Sequence, residues 1–176
     1  MSRNPAGDAD PDARDIDPDK ARKRVMAEAV KLLASRARSE SQLRERLTAR
    51  GWASPGIIEE CITRLKELGY IDDRQYAESY ASSRMKTKPL GRSRLARELT
   101  AKRLAPETIE DALDTVFDEQ KEEALIDRAI QKRIRTHGHP KDRAAANRLF
   151  AHLARLGFEY DLILRKLRAL KKGDEL

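Results

Sequence analysis

The distribution of apolar residues predicts an all-α protein built from three tandem three-helix repeats, stacked into an elongated, curved array. Three observations predict it. Apolar residues recur at helical spacing from Lys20 to near the C-terminus, and no alternating strand pattern competes with them. The same succession of three short helices is written three times. Charged residues make up 38% of the 176 residues and aromatics 5%, so the apolar groups must lie in narrow stripes if they are to be buried.

Residues 1 to 20 form the first segment and are predicted to be a disordered acidic tail. They hold Pro5, Pro11, Pro18, Gly7 and a single isoleucine, Ile16, too little apolar surface to offset the entropy of ordering. A regulatory arm is the alternative reading of this segment. From Lys20 the period becomes helical: Val25, Met26, Ala29, Val30 and Leu33 share one face. Ser39 with Gln42 three residues later is a capping box and opens a second helix with Leu43 and Leu47 as its seam, stopped at Gly51. Ser54 and Pro55 suit the N-cap and first turn of a third helix, in which Ile58, Cys61, Ile62 and Leu65 face one way before Gly69 ends it.

The triplet then returns twice. Val25, Met26, Ala29 and Val30 correspond to Tyr76, Ala77, Tyr80 and Ala81, and again to Leu125, Ile126, Ala129 and Ile130. Leu43, Leu47, Gly51 and Trp52 correspond to Leu95, Leu99, Arg103 and Leu104, and then to Leu149, Leu153, Gly157 and Phe158. The last helices carry Ile109, Leu113 and Val116 in one copy and Ile163, Leu167 and Leu170 in the other; in the first copy the seam begins one residue later, at Ile58, which implies one extra loop residue. Pro89, Gly91, Pro106, Gly138 and Pro140 fall at the expected boundaries. The repeats are assigned to residues 21–70, 71–117 and 118–172, with 173–176 as a short C-terminal tail. A unit of about 50 residues cannot hide its apolar surface alone, so neighbours should pack against each other.

Charge points to the partner. The chain has a formal net charge of +7, and because residues 1 to 20 carry a net −3, the remainder carries +10. Such a surface attracts polyanions, nucleic acid first among them. The segment from Arg84 to Arg103 holds Arg84, Lys86, Lys88, Arg92, Arg94, Arg97, Lys102 and Arg103 against one acid, Glu98. With Leu95 and Leu99 turned inward, Arg92, Arg94 and Arg97 are left for solvent or a phosphate-bearing partner. A second set comprises Arg128, Lys132, Arg133 and Arg135; a third comprises Arg165, Lys166, Arg168, Lys171 and Lys172. Cations on equivalent elements of stacked repeats would form a stripe suited to tracking a long polyanion, and no Asn or Gln cluster suggests base-specific readout.

Other candidates reduce to structure. Asp72 is read as an N-cap with Gln75 at the third helical position, and Tyr76, Tyr80, Trp52 and Phe158 as core residues, since they occupy apolar positions of the repeat. His137 and His139 flank Gly138 without neighbouring acids or thiols, which favours a loop over a metal site. Cys61 is the single cysteine, so no intramolecular disulfide can form. No phosphate-cradling glycine loop, nucleophile elbow or zinc-protease motif is present, and an enzyme is disfavoured, with no cofactor and no metal expected. The N-terminus lacks a signal peptide and no apolar run is long enough to span a bilayer, so no membrane association and a cytoplasmic location are expected.

The stretch Leu68-Gly69-Tyr70-Ile71-Asp72-Asp73-Arg74-Gln75-Tyr76-Ala77-Glu78-Ser79-Tyr80, continued by Ser83-Arg84, Pro89-Leu90-Gly91 and Leu95 with Glu98-Leu99, resembles the signature of the RecX family of bacterial regulatory proteins. The threefold pattern extends the resemblance over about residues 22 to 172. It implies three tandem three-helix units and a non-enzymatic partner of the RecA recombinase filament on single-stranded DNA; separately from the resemblance, a monomer is expected, with double-stranded DNA a further candidate ligand. It also implies limited filament extension, suppressed ATP hydrolysis and strand exchange, and a place in DNA recombination, DNA repair and the SOS response. Arg84 lies in the matched signature; the remaining cations are assigned by charge. Two other readings compete: a helix-turn-helix-like DNA-binding transcription factor, since three-helix units with a basic helix also serve that role, and a purely structural helical adaptor.

Overall fold

The computed structural model describes residues 17–119 and 122–173. Most of the expected acidic tail, residues 1–16, lies outside the described residues. Within them every regular element is an α-helix, with nine helices in sequence. Two compact units divide it at Asp73 and Arg74.

The N-terminal unit contains α1 (Pro18–Ser35), α2 (Glu40–Thr48) and α3 (Pro55–Glu67). Helix α1 begins two residues before the start that apolar periodicity marks, because Asp17 is an N-cap whose carboxylate accepts from Asp19 N–H and Pro18 supplies a first-turn φ. Ser39 and Gln42 form the predicted capping box, each side chain accepting from the other's backbone N–H at 3.3 and 3.4 Å. Ser54 caps α3 through Ile57 N–H. That helix ends in a Schellman motif: Gly69 is left-handed (φ 72°), Gly69 N–H donates to Lys66 O and Tyr70 N–H to Leu65 O. Val25, Ala29, Leu43, Leu47, Ile58, Cys61, Ile62, Leu65 and Ile71 close the core. Each fully buried aliphatic contributes ~1.5–3 kcal/mol relative to exposure.

Two expectations fail here. Val30 is 46% exposed, since it sits one helical step past Ala29 and off the buried face. Trp52 is only half-buried and lies outside the core; the Arg24 guanidinium stands 4.0 Å from its ring centroid and that of Arg50 5.3 Å, so its π face holds cations instead of packing. The equivalent Leu104 and Phe158 are buried as predicted.

The second unit contains α4 from its second residue (Asp73–Thr87), α5 (Arg92–Thr100), α6 (Pro106–Glu119), α7 (Glu122–His137), α8 (Arg143–Leu156) and α9 (Tyr160–Gly173). Copies two and three of the triplet share one core, running from Ala77, Ala81 and Met85 through Leu95, Leu99 and Leu113 to Leu125, Ile126, Leu153 and Ile163. Tyr76 and Tyr80 pack against it, half-buried, with ring centroids 6.3 Å apart.

The repeat is visible in the backbone as well as in side-chain identity. Gly51, Arg103 and Gly157, the three aligned stop positions, have φ of 70°, 61° and 90°. Helix α3 starts three residues after Trp52, whereas α6 and α9 start two residues after Leu104 and Phe158, which is the extra loop residue inferred from the register. The first residues of α4 and α7 play one role: Asp73 Oδ1 accepts from Glu40 N–H at 2.8 Å, and Glu122 Oε1 accepts from Arg92 N–H at 3.2 Å. Each carboxylate thus caps the middle helix of the preceding triplet, satisfying a donor that the helix itself cannot.

Candidate nucleic-acid and protein interface

The cationic segment begins at the C-terminal end of α4 and runs through α5. Its organising group is an acid. Glu98 accepts from Arg84 through two bonds (Nε to Oε2, 2.8 Å; Nη2 to Oε1, 3.1 Å), from Arg94 Nε at 3.1 Å and from the Tyr80 hydroxyl at 3.1 Å. Arg84 first, then Arg94 and Tyr80, hold the Glu98 carboxyl down to about 2 against the opposing effect of burial. Arg84 and Arg94 reach Glu98 from different elements because Arg84 lies on α4 while Arg94 is one turn before Glu98 on α5.

Arg92 is less available than its position on α5 suggests. Its side chain is 29% exposed and pairs with Glu110 at 2.6 Å and Asp114 at 2.7 Å, two acids one turn apart on α6. It is better described as a tie between α5 and α6 than as a group left for a partner. Arg97 is exposed and donates Nε–H to Ser93 O at 3.2 Å. Lys102 Nζ lies 5.2 Å from the Tyr80 ring centroid. Arg103 is exposed in its left-handed position, and Lys86 and Lys88 are exposed.

The α7 set differs in kind. Arg128, Lys132 and Arg135 are exposed and Arg133 is half-buried; among the described residues none of the four is placed in an ion pair. The α9 set is partly neutralised, Arg165 by Glu123 at 2.7 Å and Lys166 by Asp127 at 2.7 Å, while Arg168 and Lys171 are exposed. The side chain of Lys172 lies outside the described residues.

Two residues that charge counting missed join the α7 set. His152 and Arg155 on α8 lie near it: burial foremost, then the charges of Arg133, Arg155, Lys88 and His137, push the His152 imidazole below its usual value. Lys88, Pro89, Ala129, Lys132, Arg133, Thr136, His152 and Leu156 line a cavity of about 170 Å³. The sequence signal was faint, because neither His152 nor Arg155 sits in a basic run. Only α8 packing on α7 brings them to the cations there.

The architecture and the site together define an all-helical repeat protein with clusters of basic side chains on several helices and no strand among the described residues. Family models described as the first and second three-helix domains of RecX match residues 26–65 and 72–113. The chain is 33% identical over 165 residues to the regulatory protein RecX of Bacillus pumilus, covering 93% of this chain and 62% of that one. It is 32% identical over 146 residues to the regulatory protein RecX of Pelodictyon phaeoclathratiforme, covering 83% and 88%. The chain belongs to the RecX family. A crystal structure of RecX from Lactobacillus salivarius shares the fold, with a TM-score of 0.78 at 24% identity over 87% of this chain and 98% of that one. The chain therefore spans nearly the full length of some relatives and about three-fifths of the Bacillus pumilus protein. No helix among the described residues is long and apolar enough to cross a membrane.

Proposed function

We propose that this protein is a non-enzymatic cytoplasmic regulator of the RecA recombinase, binding the RecA filament on single-stranded DNA and limiting filament extension, ATP hydrolysis and strand exchange. Membership of a family of regulatory proteins supports a regulator. The observation that carries the nucleoprotein partner is the unneutralised set Arg128, Lys132, Arg133 and Arg135 on α7, with exposed Lys88 lining the same cavity as Lys132 and Arg133. Cations without carboxylate partners retain the full release of counterions when they meet a polyanion, so binding should weaken steeply with salt. Glu98 would hold Arg84 and Arg94 in fixed geometry, presenting a shaped surface to the protein component of the filament. This role would place the protein in DNA recombination and repair and in the SOS response.

The test is RecA's DNA-dependent ATPase and strand-exchange activity with this protein added. Inhibition is expected; unchanged activity in stoichiometric excess would remove the proposal.

A further inference from the structure

The second unit neutralises its cations unevenly. Arg84, Arg92, Arg94, Arg165 and Lys166 all have carboxylate partners. Around the cavity bounded by the α4–α5 connection, α7 and α8, the pattern is opposite: Lys88, Lys132 and Arg133 line it, and no carboxylate is among its lining residues. The charged groups that face His152 there are Lys88 from the connection, Arg133 and His137 from α7 and Arg155 from α8, all cations or potential cations. Its floor is formed by Pro89, Ala129 and Leu156. Like charges converging on a partly desolvated wall repel one another unless an anion joins them.

Size and direction specify the anion. A volume of about 170 Å³ admits a tetrahedral phosphate group with its oxygens toward the rim. Along α7, exposed Arg128, Lys132 and Arg135 follow one face at intervals of about one helical turn, ~5.4 Å, so a chain of phosphates could continue beyond the cavity. An isolated phosphate would leave those cations unused.

We propose that this cavity seats one phosphodiester of a nucleic-acid strand, with Lys88, Lys132 and Arg133 as its cationic rim, Arg155 adding charge from α8, and the strand continuing along Arg128 and Arg135. The inference rests on the nucleoprotein reading above and locates it. His152 reports occupancy. An anion beside the imidazole favours its protonated form, so the strand raises the His152 midpoint and binds more tightly as pH falls through that raised midpoint.

The experiment follows the His152 ring resonances of the full chain by NMR, assigned by their loss in His152→Gln, during titration with a short oligothymidylate and, separately, with inorganic phosphate. The oligonucleotide should raise the His152 midpoint by about one pH unit, and the double variant Lys132→Ala, Arg133→Ala should abolish that rise and weaken binding roughly tenfold or more. Lys88→Ala, at an exposed position outside any helix, should weaken binding severalfold and guards against a folding defect in the double variant. Oligonucleotide binding that leaves His152 unmoved would overturn the seat. A response to inorganic phosphate equal to that of the strand at matched phosphate concentration would overturn the strand. RecA inhibition measured in parallel separates the two claims: a wild-type chain that inhibits RecA while its His152 ignores DNA loses this site and keeps its proposed function.

Discussion

Gly91 and Gly157 touch backbone to backbone. Gly91 N–H donates to Leu156 O at 2.9 Å, and Ser93 N–H donates to Gly157 O at 3.3 Å, so the start of α5 is fastened to the end of α8. A Cβ on Gly91 would fall on the Gly157 carbonyl and Phe158 N, and one on Gly157 would fall on the backbone of Arg94. The residue types at two loops thus decide how closely copies two and three can meet. Gly91→Ala should destabilise the protein by about 2–3 kcal/mol through overpacking against atoms that cannot rotate away. Urea unfolding of the variant would check this; an unchanged midpoint would show that the junction is looser than the hydrogen bonds imply.

Arg103 offers the reverse case. It holds φ 61° where the two aligned positions carry glycine, and an L side chain is disfavoured there by roughly 1 kcal/mol. Arg103→Gly should therefore raise thermal stability, by about 0.5–1 kcal/mol from the relieved strain, whereas Arg103→Val should lower it. Differential scanning calorimetry of both variants reads the sign directly.

Glu98 makes stability depend on acid. Its folded carboxyl titrates at about 2 and an unfolded glutamate near 4.5, so its contribution is complete above about pH 4.5 and disappears as pH falls through about 2. The contribution at neutral pH is on the order of 2 kcal/mol after allowing for the solvent exposure of Arg84 and Arg94. Glu98→Gln should lose most of it and flatten the stability profile between those pH values, as measured by chemical denaturation at successive pH.

The caps at Asp73 and Glu122 predict a contrast between isosteric and truncating changes. Burial raises both carboxyls above their usual values, so the charge itself contributes little and the acceptor oxygen matters more. Asp73→Asn and Glu122→Gln should change stability by less than about 0.5 kcal/mol, while alanine at either position should cost about 1 kcal/mol. Parallel denaturation of the four variants distinguishes capping from ion pairing, which would make the amides as damaging as alanine.

Arg94→Ala with Arg97→Ala separates a nucleoprotein ligand from a passive adaptor. Both side chains are exposed and neither ties helices together in the way Arg92 ties α5 to α6. Loss of two cations should reduce affinity for the RecA–DNA filament and lessen its salt dependence; binding indifferent to the pair would favour the adaptor.

Sequence alone determined the helices, the threefold triplet and the interior seams, because each of these rests on local spacing: Leu43 and Leu47, Leu95 and Leu99, and Leu149 and Leu153 must face inward wherever a helix of this pattern finds a neighbour. The capping box at Ser39 and the register shift at Ile58 were legible for the same reason. Which arginines remain available was decided by tertiary structure, since Glu98, Glu110 and Asp114 reach their partners across helices and no run of letters contains that pairing. Trp52 went to its cations and His152 to its cavity in the same way. Periodicity fixes which side of a helix seeks company, but only close packing determines which charge stands opposite which.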